Sequence, residues 1–405
     1  MKLVSPQPFW PVRDGLPATY PVLEDNLACE AAVIGGGIGG ALVAWQLASA
    51  GVETIVLDRR EIAHGSTAGS TSLLQYEIDE PLHRLTQRIG RERAERCYRR
   101  CRDAIDEIER LVRNEKLNCE FERRPSLLLA STRAHLPRLR REFAARHSAG
   151  LAVEWWSRRD LARESSLPQP AAIWSRDGAQ VDAYALAHGL LQAARRAGAR
   201  VYERTAVTRM HFHARGADLQ TARGRRVRAR NVVIATGYEA QESLRKKITA
   251  LHSTYALASE PVAEFNGWPA DRCLIWETAR PYVYLRTTAD RRVMIGGYDE
   301  PFRDPDARDR LLGVKTALLK RRFRQLFPRI PLEVACAWAG TFAETTDGLP
   351  YIGRHRNWPH VWYALGYGGN GVTFSSIAAS LIRDGILGRR NADEALFGFG
   401  RAVGA

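Results

Sequence analysis

Residues 33–58 read Val33-Ile-Gly35-Gly-Gly37-Ile38-Gly39-Gly40-Ala-Leu-Val-Ala-Trp-Gln-Leu-Ala-Ser-Ala-Gly51-Val-Glu-Thr-Ile-Val-Leu57-Asp58. A short apolar run, Ala31 to Ile34, ends in glycines. A helical segment is expected from about Gly39 to Ala50, and a second apolar run, Thr54 to Leu57, ends in an acid. Strand, glycine turn, helix, strand and acid in this order form a dinucleotide-binding unit. Gly35 permits the tight turn, Gly37 lets the backbone approach a pyrophosphate, and Gly40 lets the helix pack close to the sheet. The helix start then offers free N–H groups and a positive dipole end to phosphates. Asp58 follows Gly35 by 23 residues, where a ribose hydroxyl needs an acceptor. Ala31 to Val52 carries no charge over 22 residues, long enough to span a membrane, but six glycines and the Gln46 amide argue against that reading.

A chain of 405 residues has room for two domains, and 45% hydrophobic content is ordinary for a globular core. The formal net charge is +15, and 54 of the 60 basic residues are arginine. They are scattered, with short clusters at Arg223 to Arg230 and Lys320 to Arg324; a GC-rich genome explains them ahead of nucleic-acid binding, since charge alone speaks to solubility and non-specific binding. The six cysteines, at 29, 97, 101, 119, 273 and 336, form no pattern with zinc-ligand spacing, and no metal is expected. Residues 1–30 lack a basic stretch followed by an apolar one, so the expectation is a protein without a secretory signal, reduced and cytoplasmic.

Along the chain, residues 1–28 are rich in proline and aromatics and read as an extended arm laid over the surface. The loop Arg59 to Gln75 contains His64-Gly-Ser66-Thr67-Ala-Gly-Ser70-Thr71-Ser72, small residues whose backbone N–H groups can approach a cofactor. His64 is open to three readings: a solvated loop histidine, a base, or a covalent flavin link. Residues 88–113 are expected as one helix, with Cys97 and Cys101 on its apolar stripe. Phe121 to Ala130 reads as a strand, and Ala134 to Arg146 as a helix. Asp182 is placed as the N-cap of a helix running to about Ala197. Asn231-Val-Val-Ile-Ala-Thr236-Gly237 is a buried strand that returns to the first sheet. Four short strands between 254 and 297 suggest an antiparallel sheet and a second domain, and residues 306–326 read as helical. A second strand–glycine–helix unit follows at His360 to Gly385, through Gly366-Tyr367-Gly368-Gly369-Asn370-Gly371-Val372.

Together these residues resemble the FAD-dependent D-amino-acid-oxidase (DAO) superfamily, which includes glycine oxidase, sarcosine oxidase and amine oxidases of the γ-glutamylputrescine type. Four motifs in order carry the resemblance from about Cys29 to Gly388: GGGIGG with Asp58, GSTAGSTS, NVVIATGY, and TDGLPYIG followed by GYGGNGV. It implies an α/β plus α+β fold, with a discontinuous Rossmann-like FAD-binding domain (residues 29–85, 150–250 and 330–390) and an antiparallel-sheet substrate domain (86–149 and 251–329). It implies non-covalent FAD, since Leu73 stands near the position where covalent relatives carry a linking histidine. Gly35, Gly37, Ile38, Gly39 and Gly40 would then face the pyrophosphate, and Asp58 with Arg59 the adenosine ribose. Ser66, Thr67, Ser70, Thr71, Ser72 and Leu73 would line pyrophosphate and flavin. Val207 would meet the adenine through its backbone, and Thr236 and Gly237 would close the second strand. Gly366, Gly368, Gly369, Asn370, Gly371 and Val372 would bring helix N–H groups to the flavin, where they stabilise the charge that develops on reduction.

Phe342 and Gly369 depart from this pattern. Glycine oxidases carry arginines at both positions, and the one matched by Phe342 grips the substrate carboxylate. The reading is therefore an FAD-dependent oxidoreductase acting on a C–N bond of an amine or amino acid by hydride transfer, with O2 or an unidentified carrier as electron acceptor. Substrate-site candidates are Tyr76, Tyr255, Tyr284, Arg286, Glu344 and Tyr367, with Arg286 a possible replacement clamp. The alternatives are a dehydrogenase of a hydroxy compound such as glycerol 3-phosphate, or a nucleic-acid-binding flavoprotein of the tRNA-modifying kind.

Overall fold

The computed structural model describes residues 2–244, 248–355 and 357–401. Its first sheet is built on the strand Leu27–Ile34. Thr54–Leu57 and Arg200–Tyr202 lie parallel to one side, and Arg226–Ile234 lies parallel on the other. The last of these strands divides its pairing. Ala229 and the residues before it pair antiparallel with Gly216–Thr221, while Val232 to Ile234 pair parallel with Val361 to Tyr363 of Trp358–Leu365. The helix after the glycine turn, Ile38–Ser49, is apolar nearly all round because it is covered by Ala183–Arg196 and Gly371–Ile386. Asp182 caps the former, accepting from the amides of Tyr184 and Ala185 at 2.8 and 2.9 Å.

The second sheet has nine strands. In order they are Val4–Ser5, Val334–Glu344, Ala250–Ser259, Val293–Pro301, Val283–Thr287, Leu274–Glu277, Ser126–Leu129, Ala171–Ser175 and Val153–Ser157. All neighbours are antiparallel except Leu274–Glu277 and Ser126–Leu129. One face packs on the helix Leu312–Leu326 over a core of Tyr255, Leu257, Leu285, Ile295 and Phe323. The opposite face looks toward the first sheet. Sheet membership differs from the segments expected for the two domains: 153–157, 171–175 and 334–344, read with the cofactor unit, run in the second sheet.

Four sequence expectations need correction. The N-terminal arm is internal in part: Val4–Ser5 is an edge strand, Phe9–Asp14 is a helix, and Trp10 is fully buried. The helix expected at 88–113 is two helices, Leu82–Ile89 and Arg91–Asn114, because Gly90 between them takes φ 85°. The strand expected over 121–130 is two, Glu122–Arg123 and Ser126–Leu129. The expected helix at 306–326 is likewise two, Pro305–Arg310 and Leu312–Leu326.

Between the two-helix pair and the second sheet lies a buried ionic knot. Arg146, fully buried, donates to Glu142 Oε1 at 2.7 Å and Glu77 Oε1 at 3.3 Å. Glu142 also accepts from the amides of Leu82 and His83 and from His83 Nδ1 at 3.1, 3.1 and 2.8 Å, which ties the start of the first helix of the pair to the knot. Burial opposes the Glu142 charge, but Arg146 and the two His83 bonds outweigh it and hold the carboxyl down at about 2.

Candidate active site

Gly35, at φ 108°, turns the chain out of its strand; a Cβ there would stand 2.4 Å from Ala235 O. At Gly40 a Cβ would stand 1.8 Å from Gly35 O, so the helix closes directly onto the turn. Gly37 looks the other way, into a long cavity, with only Thr67 Oγ1 at 2.9 Å from the position of a Cβ. The helix has no side-chain cap of its own; Ile38 N–H donates to Thr67 Oγ1 at 3.0 Å. Asp58 fixes the turn from the next strand, accepting from Gly36 N–H at 2.6 Å and Arg60 N–H at 2.7 Å. Burial raises its carboxyl and those two bonds temper the rise. Arg59 and Arg60 both pair with Glu239 across the cavity end.

The run of small residues is held from behind by its carbonyls. Trp338 Nε1 donates to Gly69 O at 2.9 Å and Trp10 Nε1 to Ser70 O at 2.6 Å. Arg286 Nη1 donates to Thr71 O and Ser72 O at 3.0 and 3.1 Å. Four consecutive carbonyls are thus satisfied on the protein side, and the loop's other side is left to the cavity, where Ser66, Thr67, Ser70, Thr71, Ser72 and Leu73 line the wall.

The second glycine unit forms the opposite wall. Gly366 and Gly368 take φ 77° and 54°. Asn370 precedes the helix Gly371–Ile386 without capping it, because its amide donates instead to Gln75 O and Glu77 O at 3.0 and 2.9 Å. The first amides of that helix carry no side-chain cap, so two helix starts border one cavity, one with its first amide met by Thr67 and the other uncapped.

Most expected cofactor residues meet here: Gly35, Gly37, Ile38, Gly39, Asp58, Arg59, Val207, Thr236, Gly237, Gly368, Gly369, Asn370, Gly371 and Val372 border the same cavity as the loop. Gly40 and Gly366 lie behind the wall, shaping the turns. His64 does not border the cavity; its Nδ1 is 3.0 Å from Ile62 O and its ring stands edge-on to Tyr184.

Of the substrate candidates, Tyr284 and Tyr367 border the cavity. Strand alternation explains the others. Tyr255 faces the helix side of its sheet with Lys315 over its ring, while Thr254 faces the cavity. Tyr76 points away to Ser175 Oγ at 3.1 Å, while Gln75 and Glu77 on either side border the cavity. Glu344 shares a strand face with Phe342 but stands outside the lining, 3.4 Å from His252 Nε2. Arg286 is fully buried and committed to four carbonyls, the remaining two being Val181 at 2.8 Å and Thr287 at 3.1 Å, so it does not reach the cavity as a clamp. Sequence reading missed Asp79, Tyr238, Trp276, Tyr282 and Asp299, which border it. Only Tyr282 carried a signal, since Tyr282-Val283-Tyr284 alternates and puts both rings on one face.

A family model described as FAD dependent oxidoreductase, DAO, matches residues 30–384. This chain belongs to that family. The DAO-family chain is 27% identical over 380 residues to the gamma-glutamylputrescine oxidoreductase of Escherichia coli (strain K12), covering 91% of this chain and 85% of that protein. It is 26% identical over 385 residues to the glycine oxidase of Geobacillus kaustophilus (strain HTA426), covering 93% and 97%. The crystal structure of glycine oxidase from Geobacillus kaustophilus shares its fold, with a TM-score of 0.78 at 20% identity over 94% of this chain and 100% of that one. The DAO-family chain is thus an FAD-dependent oxidoreductase acting on amines or amino acids. Its cavity suits FAD on its own terms: the uncapped start of Gly371–Ile386, turns at Gly35 and Gly40 where side chains are excluded, and a buried Ser66 Oγ without a partner. Among the described residues no helix is long and apolar enough to cross a membrane.

Removing Arg286 tests its place in the enzyme. Arg286→Leu leaves the buried carbonyls of Thr71 and Val181 without donors, at about 1–3 kcal/mol each, and leaves that of Ser72 only a long bond from Val181 N–H at 3.4 Å. The expected result in denaturant titration is a loss of at least about 2 kcal/mol, together with weaker FAD retention. A stable variant that retains FAD and loses turnover only on α-amino acids would show instead that Arg286 grips a carboxylate.

Proposed function

We propose that the enzyme oxidises the C–N bond of an amine that carries no carboxylate beside the reacting carbon. What supports this is the charge of the wall. Among the described residues bordering the cavity, Arg59 and Arg60 are the cations, and both stand with Asp58 and Glu239. The part walled by the second sheet has Asp79 and Asp299 among Trp276, Tyr282, Tyr284 and Phe342. A carboxylate buried there without a charge partner costs several kcal/mol, and a phosphate-bearing hydroxy compound fares worse. Arg280 stays at the rim, stacked over Tyr282 and donating to Asp79 O at 3.2 Å.

In this reading FAD would be held without a covalent bond and would supply a two-electron acceptor for the hydride on the carbon next to nitrogen. The chain's residues do the rest. The amides of the two glycine turns and Asp58 would hold the dinucleotide, with the carbonyl-clamped loop against it. The uncapped start of Gly371–Ile386 offers N–H groups to negative charge that develops during transfer. Tyr284, Tyr367 and Phe342 wall the reacting carbon from water, and the oxidised product hydrolyses after release.

Anaerobic reduction of the bound flavin by a panel of amines, α-amino acids and hydroxy acids or phosphates tests the reading. Amines are expected to bleach the flavin, and acid precipitation to leave it in the supernatant. Faster bleaching by glycine, sarcosine or D-alanine would replace the amine reading with an amino-acid one, and bleaching by glycerol 3-phosphate alone would remove both.

A further inference from the structure

The carboxylates of the cavity outnumber what one reacting nitrogen needs. Asp79 is placed by the protein: its Oδ1 accepts from Tyr282 OH at 3.1 Å and its Oδ2 from Gly369 N–H at 2.8 Å. Asp299 is not. Thr254 hydrogen-bonds its carboxylate, yet Oδ1 is buried with no partner. Glu77 is only 3% exposed, and its Oε2 is also unpartnered, although Oε1 meets Ser126 and Arg146. Glu344 stands close enough to feel both aspartates. The opposing cations lie outside the cavity: Arg280 on the rim, Arg146 behind Glu77, and Lys315 committed to Tyr298 O at 2.9 Å and Glu300.

Aromatic faces complete the same wall. Trp276 and Tyr282 meet edge to face with centroids 6.4 Å apart, and Tyr282 and Tyr284 lie 5.9 Å apart. Aromatic faces beside unpaired carboxylates form an environment that a cation relieves and a neutral group does not. Burial, then repulsion from the neighbouring acids, pushes Asp299 up to about 6 and Glu344 up to about 7. Arg280, and Lys315 in the case of Asp299, offset this only in part.

We propose that Asp299 and Asp79, between Tyr282, Tyr284 and Trp276, form a subsite for a second cationic nitrogen, so that the substrate is a dication such as an alkyl diamine or a longer polyamine. One nitrogen is held charged in this subsite while the carbon beside the other is oxidised. The assignment rests on the amine-oxidising reading above.

The test compares alkyl diamines of four to eight carbons with the monoamine of equal length. Two readouts are taken on the FAD-loaded enzyme: perturbation of the flavin absorbance on binding, and flavin reduction without oxygen. At the preferred length the diamine should half-saturate at a concentration at least about tenfold below its monoamine, the effect of one well-placed opposite charge. Asp299→Asn should erase that advantage and leave monoamine binding unchanged, and Asp299→Glu should restore part of it. If Asp299→Asn fails to retain flavin, Asp299→Ser carries the same expectation. Equal half-saturation for both series at every length, or an advantage that survives the charge removal, overturns the subsite and leaves amine oxidation standing. Diamines that bind preferentially while only a hydroxy compound reduces the flavin overturn amine oxidation and leave the subsite.

Discussion

Gly37→Val is expected to give a folded protein that has lost its flavin. A Cβ at this position meets no backbone atom, only the Thr67 hydroxyl at 2.9 Å, which must shift to admit it, and the branch projects into the cavity where the pyrophosphate would lie. FAD affinity should fall by at least about a hundredfold, roughly 2.8 kcal/mol, with the apoprotein's far-UV dichroism unchanged. Gly40→Val, three residues on, is expected to fail differently. Its Cβ would sit 1.8 Å from Gly35 O, a backbone atom with nowhere to go, so the helix must lift off the strand. The damage there is to folding, and added FAD should not rescue it. If both variants behave alike, with stoichiometric flavin in each, the motif is a turn and nothing more.

The second large effect belongs to Arg146. Arg146→Met leaves Glu142 and Glu77 buried without their cation, and breaking a buried pair from one side costs about 3–5 kcal/mol. The same knot sets an acid limit. Glu142 is held at about 2 in the folded protein, below the ordinary value of 4.5, so its contribution is complete above 4.5 and is lost as pH falls from there toward 2. The shift corresponds to roughly 3 kcal/mol. Wild-type stability in urea should therefore drop across that window. The Arg146→Met protein, whose glutamates gain from protonation, should drop less, and the gap between the two should narrow. A constant gap from neutral to acid pH would show that Glu142 does not depend on Arg146.

The cofactor half of the cavity was legible because its physics is local. A glycine turn, its helix and the acid on the next strand are set within 26 residues, and each constrains the backbone in a way that leaves a residue type behind. The substrate half was not. Its lining comes from the loop around 79 and from strands around 254, 276, 282 and 299, and what selects a side chain is the face on which it emerges. Tyr255 and Thr254 differ by one residue and lie on opposite faces of one sheet. Arg286 shows the same limit in another way. On a strand of aromatics a cation suggests a ligand, yet its hydrogen bonds run to the backs of Thr71 and Ser72, a pairing between segments more than two hundred residues apart. Gly90 misled in the opposite direction: one glycine inside a helical stretch is tolerated in many helices, and here its backbone angle divides the helix.

Val4 lies opposite Gly340 in the second sheet, and Leu3 and Val4 border the cavity itself. The Trp10 donor that steadies Ser70 comes from this same segment, and the Trp338 donor to Gly69 comes from its partner strand. A loop with its glycine turn already translated therefore waits for residues synthesised much later before its carbonyls are secured. On the ribosome the dinucleotide motif can fold early, but the groove it serves has an unfinished wall until translation has passed 340. Flavin capture is then a late event in synthesis, and a chain truncated before that strand is expected to carry the whole fingerprint and still fail to keep its cofactor.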